Sequence, residues 1–427
     1  MKVLMFGWEF PPYVSGGLGV ACEGLVRGLL ELSTEIVLVL PRPAESSTPL
    51  LRILQAGGPA PPPPRRRRAR RERTKRKVRL RLRRVRTLLR PYLTEESYSE
   101  EIEEIRTLTA PDEPEGPVIY GPDLHAEVLR YSEEAARIAA RETFDVIHAH
   151  DWMTFMAGMR AKRASGKPLV LHVHATEFDR SGGGENGFVT AIERAGAAAA
   201  DRVVAVSGYT ADVLATRYGV PRERLRVVHN AIDPREPEAR FTIGEEDPLV
   251  LFAGRITWQK GPDYFVDAAE RVAAEMPRVK FAVAGSGDRM RAMMQRVAAR
   301  GLEERFLFTG FLPPDDLDRL YARADVYVMP SVSEPFGLTA LEALQHGTPV
   351  IVSRSAGVSE VVRNVLRVRF GDVEDLASKI LSVLLFPPLR AALSSRGRAD
   401  VRRLSWRESA WRCLTVYREL VGEWPAP

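Results

Sequence analysis

Residues 324–347 read ADVYVMPSVSEPFGLTALEALQHG. The first part, ADVYVMPS, is a short apolar run with β-branched and aromatic residues, the pattern of a buried strand. LTALEALQHG carries apolar residues at helical spacing and stops at a glycine. Glu334 therefore falls on a strand-to-helix loop, where open parallel sheets bind ligands. Gly337 lets the backbone approach a ligand closely. The N–H groups of Gly337, Leu338 and Thr339 have no helical partner, so they point at an anion that the helix dipole also favours. Glu342, about one and a half turns further in, is placed to reach sideways to hydroxyls such as a ribose diol.

The strand-then-helix alternation recurs outward from this segment. MKVLMFGW reads as a strand, YVSGGLG as a tight glycine-rich loop, VACEGLVRGLLEL as an amphipathic helix and EIVLVLP as the next strand. From Pro41 to about Pro117 the alternation fails in Pro/Ser/Gly-rich text followed by a basic run, so residues 41–117 read as an insertion. Regularity returns with the helix LHAEVLRYSEEAARIAARE and the strands FDVIHAH, PLVLHVHA, RVVAVSG and LRVVHNAID. After the polar stretch PREPEARFTIGEEDP a second series begins: LVLFAGR, PDYFVDAAERVAAEM, KFAVAGSG, RFLFTGFL, ADVYVMPS and TPVIVS. Two such series predict an α/β protein with two doubly wound, Rossmann-like domains facing across a cleft, residues 1–234 and 235–400. In residues 401–427, Trp406, Ala410, Cys413, Leu414 and Tyr417 fall at helical spacing and predict a closing helix that packs on the body.

A second chemical signal is GRITWQKG, residues 254–261, which follows a strand end and opens a helix. It places Arg255 and Lys260 at the strand's carboxyl edge, where a planar fork and a point charge together suit a diphosphate. Either cation alone would read as solvated surface. AGSGD at 284–288 reads as a turn, and Asp316 and Asp318 as helix capping and surface charge.

Composition bounds the rest. At 427 residues the chain has room for two domains of ordinary size. Its two cysteines, Cys22 and Cys413, lie far apart without metal-type spacing and read as small buried apolar residues. The N-terminus lacks the plan of a signal peptide, and no apolar run reaches the ~18 residues of a membrane span, so a cytoplasmic location is expected. Residues 65–90 hold 16 Lys or Arg against one Glu, so the net charge of +6 is concentrated there and the remainder is acidic. The following block, residues 95–115, has nine Asp or Glu against Arg106 alone, and is able to pair with the basic run.

With these residues in hand the chain resembles a retaining glycosyltransferase of the GT-B fold, in the glycogen synthase and family 4 grouping of sugar-nucleotide enzymes. The matching text is EFPPYVSGGLG, DVIHAHDW, LHVHATEFDRSG, VSGYT, VVHNAID, FAGRITWQKG, GFLPPDDL and SEPFGLTALEALQHGTPVI. The pair Glu334/Glu342 is its strongest motif. The resemblance implies a hexosyltransferase whose Glu334 stabilises a developing oxocarbenium or positions the sugar, whose Glu342 binds the ribose, and whose Arg255 and Lys260 hold the diphosphate. It further implies that Gly16 and Gly17 cradle the diphosphate from the opposite domain, that His174 contacts the donor sugar near the reacting carbon, and that Asp151 and Asn230 line the cleft. The donor would be ADP- or UDP-glucose, a substrate rather than a cofactor, and the acceptor an α-glucan or related carbohydrate. Synthases that use ADP-glucose carry Lys in the pattern K-x-G-G-L, where this chain has Val14.

His148 and His150 alternate on one strand face, as metal ligands do, but no further Cys/His set is evident in the sequence, so no metal is expected. A lipid or cell-envelope glycosyltransferase is the second reading, with residues 65–90 resting on anionic membrane; the mixed alternation there and the acidic neighbour disfavour it. Aromatic residues are absent from that run, which leaves base stacking without a source and no specific nucleic-acid partner expected.

Overall fold

The computed structural model describes residues 1–11, 16–41, 51–55, 124–182, 186–233 and 247–423. The basic run, the acidic block, Val14 and most of the stretch between the two halves lie outside the described residues.

The first sheet holds β1 (Lys2–Phe6), β2 (Glu35–Leu40), β3 (Leu51–Gln55), β4 (Val146–His150), β5 (Leu169–Val173), β6 (Arg202–Ala205) and β7 (Leu225–Val227), in the order β3-β2-β1-β4-β5-β6-β7. The second holds β8 (Leu249–Ala253), β9 (Lys280–Ala284), β10 (Phe306–Gly310), β11 (Val326–Met329), β12 (Val350–Ser353) and β13 (Leu366–Val368), in the order β10-β9-β8-β11-β12-β13. Every strand pair is parallel. Parallel strands need helical crossovers that cover both faces, which is why β4, β5 and β11 are buried along their whole length and read as continuous apolar runs. Both sheets reverse direction in the same place, between β1 and β4 and between β8 and β11, and those are the switch points where such folds take ligands.

The helices follow in turn: α1 (Gly17–Glu31), α2 (Leu124–Ala139), α3 (Trp152–Ser165), α4 (Glu177–Ser181), α5 (Gly187–Ala199) and α6 (Gly208–Arg217) belong with the first sheet. α7 (Pro262–Glu275), α8 (Met290–Ala298), α9 (Pro314–Arg323), α10 (Leu338–Gln345), α11 (Val373–Leu385) and α12 (Pro387–Val401) belong with the second, and α13 (Trp406–Val421) ends the described chain. Among the described residues no single helix is long and apolar enough to cross a membrane.

α13 crosses back to lie on α1. A Cβ on Gly24 would fall 2.1 Å from the Trp406 indole, and one on Gly28 would fall 2.4 Å from the Trp406 carbonyl oxygen, so only glycine permits this approach. Trp406, Ala410, Cys413, Leu414 and Tyr417 are all buried there, the last four in a core shared with Met5, Leu25 and Leu29.

The two predicted doubly wound domains are present, with one correction. Leu51–Gln55 forms β3 and extends the sheet beside β2, inside the stretch read as an insertion in which the alternation fails. LRILQ is a five-residue edge strand next to Pro/Ser-rich text, too short to show a period. β13, three residues on the opposite sheet's edge, escaped sequence reading for the same reason.

Candidate active site

The candidate residues lie past the carboxyl ends of strands in both sheets. From the first domain come Gly16 and Gly17 after β1, His150 and Asp151 at the end of β4, and His174 just past β5. From the second come Arg255 and Lys260 after β8 and the Ser331–Thr339 segment after β11. The domains touch at this edge: a Cβ on Gly17 would meet Leu338 Cδ1 at 3.5 Å, so the start of α1 faces the start of α10.

Glu334 is 5 % exposed and sits between the two loops of the second domain. Its Oε2 accepts from Lys260 Nζ at 2.5 Å and from Ser331 Oγ at 3.2 Å. The backbone around it is fixed by Gly357 N donating to Glu334 O at 3.0 Å and Val358 N donating to Phe336 O at 2.7 Å. Gly337 has φ 109°, outside the range of L side chains, and a Cβ there would fall 2.8 Å from Met329 Cε. α10 starts without a side-chain cap, leaving the N–H groups of its first turn aimed along the helix axis toward the cleft. Glu342, half-buried on the same helix, accepts from Tyr321 Oη at 3.1 Å; burial pushes the Tyr321 hydroxyl well above its ordinary value and keeps it a donor.

Lys260 is carried on a short 3-10 turn, Trp258–Lys260, that ends at Gly261. Val332 N donates to Gln259 O at 2.8 Å, tying this turn to the Glu334 loop. Beneath it, AGSG is more than a turn. A Cβ on Gly285 would fall 1.9 Å from Gly254 O, and one on Gly287 2.3 Å from Ile256 O, so these glycines let the β9 loop buttress the β8 loop. Arg255 is exposed at the rim of that loop.

On the first domain, Asp151 holds φ 56° and ψ 170°, a region essentially reserved for glycine. The strain places its Oδ1 to accept from His174 N at 2.7 Å. His174 Nε2 meets His150 Nδ1 at 2.9 Å, and burial lowers the His174 imidazole below its ordinary value although Asp151 opposes the shift. Asn230 is buried after β7. The premise behind expecting no metal fails: His172 on β5 and His174 just past its end stand next to His148 and His150. That adjacency is set by strand register, which motif spacing does not reveal.

The residues that join the domains were also missed. Ser333 Oγ donates to Asp179 Oδ1 at 2.6 Å and pairs with Tyr209 Oη at 2.9 Å, while Ser207 Oγ donates to Pro335 O at 2.6 Å. Glu360 accepts from Gly208 N at 2.8 Å, Tyr209 N at 2.9 Å and His229 Nε2 at 2.8 Å, capping α6 from the other domain. Trp258 lies over Gly182, whose Cβ would fall 2.2 Å from the indole. VSGYT, quoted above only for the resemblance, holds Ser207 and Tyr209 but says nothing about their partners.

Two facing Rossmann-like domains with cations, an uncapped helix start and a buried carboxylate at the cleft define a glycosyltransferase of the GT-B class. Residues 235–400 match the family Glycosyl transferases group 1, and residues 92–236 match Glycosyltransferase Family 4. The 2-deoxystreptamine glucosyltransferase of Streptomyces kanamyceticus is 31% identical, over 68% of this chain and 81% of its own. The glycogen synthase of Mycobacterium tuberculosis is 27% identical, over 98% of this chain and 94% of its own. The sucrose-phosphate synthase structure from Thermosynechococcus elongatus superposes with a TM-score of 0.73 at 19% identity, covering 99% of this chain and 100% of that one. The chain belongs to the group 1 glycosyltransferases.

Proposed function

We propose that this glycosyltransferase moves glucose from a nucleoside diphosphate to a carbohydrate hydroxyl, with retention at the anomeric carbon and an α-glucan as the acceptor. The observation that carries the reading is Glu334 held against Lys260, beside the uncapped start of α10 and opposite Gly17. A carboxylate next to a diphosphate site is repelled by the phosphates unless positive charge forms between them. The anomeric carbon supplies that charge as its bond to the diphosphate oxygen breaks, so Glu334 acts chiefly in the transition state. Lys260 and Arg255, with the N–H groups of Gly337, Leu338 and Thr339, stabilise the leaving diphosphate, and Gly16 and Gly17 close over it. The acceptor oxygen bonds to the anomeric carbon on the face the diphosphate leaves, and its proton passes to the departing phosphate oxygen.

Glu342 takes the ribose hydroxyls, oriented by Tyr321. His174 hydrogen-bonds the sugar, Asp151 holds the backbone that carries it, and Asn230 lines the cleft. The donor is consumed as substrate, and no other cofactor is assigned. Glucose and a glucan are supported by the glycogen synthase and glucosyltransferase named above.

The test is turnover of ADP-glucose and UDP-glucose with glycogen, with short maltooligosaccharides and without acceptor, for wild type and Glu334→Ala. Glucan elongation lost in the variant supports the reading and identifies the base; nuclear magnetic resonance of the product gives the anomeric outcome. Donor hydrolysis without elongation refutes the glucan acceptor, and β-linked product refutes retention.

A further inference from the structure

His148 and His150 alternate on β4, and His150 pairs in register with His172 on β5. His174 is two residues further along, so the four imidazoles share one sheet face. Their ring centroids are 4.4 Å apart for His148–His150, 5.3 Å for His150–His172 and 4.4 Å for His172–His174. His148 and His150 have no exposed surface and His172 has 2 %. Five ring nitrogens in this cluster lie buried without a hydrogen-bond partner: His148 Nε2, His150 Nε2, both of His172, and His174 Nδ1. Buried polar atoms are normally satisfied, and a concentration of orphans marks a place for an ion or a water.

We propose that His148, His150 and His172 bind one divalent first-row transition metal ion of the zinc class, in a structural site beneath the catalytic cleft. One ligand nitrogen from each lies within 4.8 Å of the other two. Zinc–nitrogen bonds of about 2.0–2.1 Å in a tetrahedron require nitrogens about 3.4 Å apart, so the three rings would draw closer on binding. The orienting contacts are already in place. His148 Nδ1 meets Tyr417 Oη at 2.5 Å and His150 Nδ1 meets His174 Nε2 at 2.9 Å, which leaves Nε2 of both rings for the metal. With metal on Nε2, each Nδ1–H donates to that partner, the arrangement that fixes tautomer and orientation at histidine metal sites.

An all-imidazole set suits zinc, copper, nickel or cobalt rather than magnesium or calcium. Asp151, the residue after His150, contributes the nearby negative charge. The fourth position goes to a water, because His174, accepting on Nε2 from His150 Nδ1–H, carries its own proton on Nδ1. Such an ion would pin β4 and β5, whose ends carry Asp151 and His174, and through Tyr417 would anchor α13.

The test uses the untagged full-length chain after chelator treatment, titrated with Zn²⁺ and separately with Co²⁺. One equivalent of zinc retained through gel filtration, intense visible Co²⁺ bands of tetrahedral type, and a raised unfolding temperature support the site. His172→Leu should abolish all three, whereas His125→Asn, outside the cluster, should keep them. Substoichiometric zinc with weak octahedral Co²⁺ absorption in the wild type overturns the proposal and leaves the orphan nitrogens to water. Undiminished binding in His172→Leu overturns it too. The wild-type titration decides even if the leucine variant does not fold, and none of these readouts depends on the donor or acceptor.

Discussion

Replacing Gly261 by alanine tests whether the Lys260 turn and the Glu334 loop are positioned by direct backbone contact. Gly261 has φ +69°, and a Cβ there would fall 2.3 Å from Pro330 O and 3.1 Å from Pro330 C. Pro330 immediately precedes Ser331, whose hydroxyl donates to Glu334. Two costs add. Left-handed backbone costs an L-residue about 1–2 kcal/mol, and pushing one backbone segment off another costs about 1–3 kcal/mol. Gly261→Ala should therefore lose about 2–5 kcal/mol of stability in urea denaturation. Gly301→Ala is the control, because Gly301 has φ +63° with nothing within 4 Å, so it carries the first cost alone. The collision relaxes by separating the two loops, and a displacement of about 1 Å between Lys260 and Glu334 should lower donor turnover on the order of 100-fold. Gly301→Ala should turn over normally. If Gly261→Ala is no less stable than Gly301→Ala and equally active, the contact does not position the site.

Asp151→Gly should be more stable than Asp151→Ala by about 1–3 kcal/mol, since glycine alone accepts that backbone conformation without strain; both should lose transfer, and equal thermal midpoints would refute the strain. Burial pushes the Glu360 carboxyl up, but hydrogen bonds from His229 and from the N–H groups of Gly208 and Tyr209 outweigh it and hold the group below its ordinary value of 4.5. Its share of domain docking is thus fully present above that value and is lost as pH falls through the lower folded value. Small-angle scattering should show the domains loosening on acidification, with the step absent in Glu360→Gln; a step of the same size in that variant would refute the assignment. Gly28→Val collides with the Trp406 carbonyl and should release α13, read as faster hydrogen exchange across residues 406–421; unchanged exchange would refute the close crossing.

What could be read from the sequence is what short windows contain. ADVYVMPS and LTALEALQHG each hold a full period of their own structure, so the strand, the helix and the loop between them were legible, and Glu334 and Gly337 with them. Lys260 was legible as a cation beside a glycine, but its contact with Glu334, across 74 residues, was not. Ser333 shows the limit most clearly. Its hydroxyl bonds Asp179, 154 residues away in the other domain, and any hydrophilic residue would have suited the local pattern equally. The histidines divide in the same way, since His148 and His150 announce a shared face and only the β4–β5 register adds His172.

SEPFG thus serves three purposes at once. Ser333 ties the domains, Glu334 pairs with Lys260, and Gly337 opens the helix start. The Ser333–Asp179 and Ser207–Pro335 bonds exist only while the domains are docked, and both flank Glu334 on the same backbone. Positioning of the carboxylate and closure of the cleft are therefore one event. The same docking brings Gly17 against Leu338, so the start of α1 meets the start of α10 in the step that orders Glu334; on the function proposed above, that is the step that would exclude water from the reacting carbon.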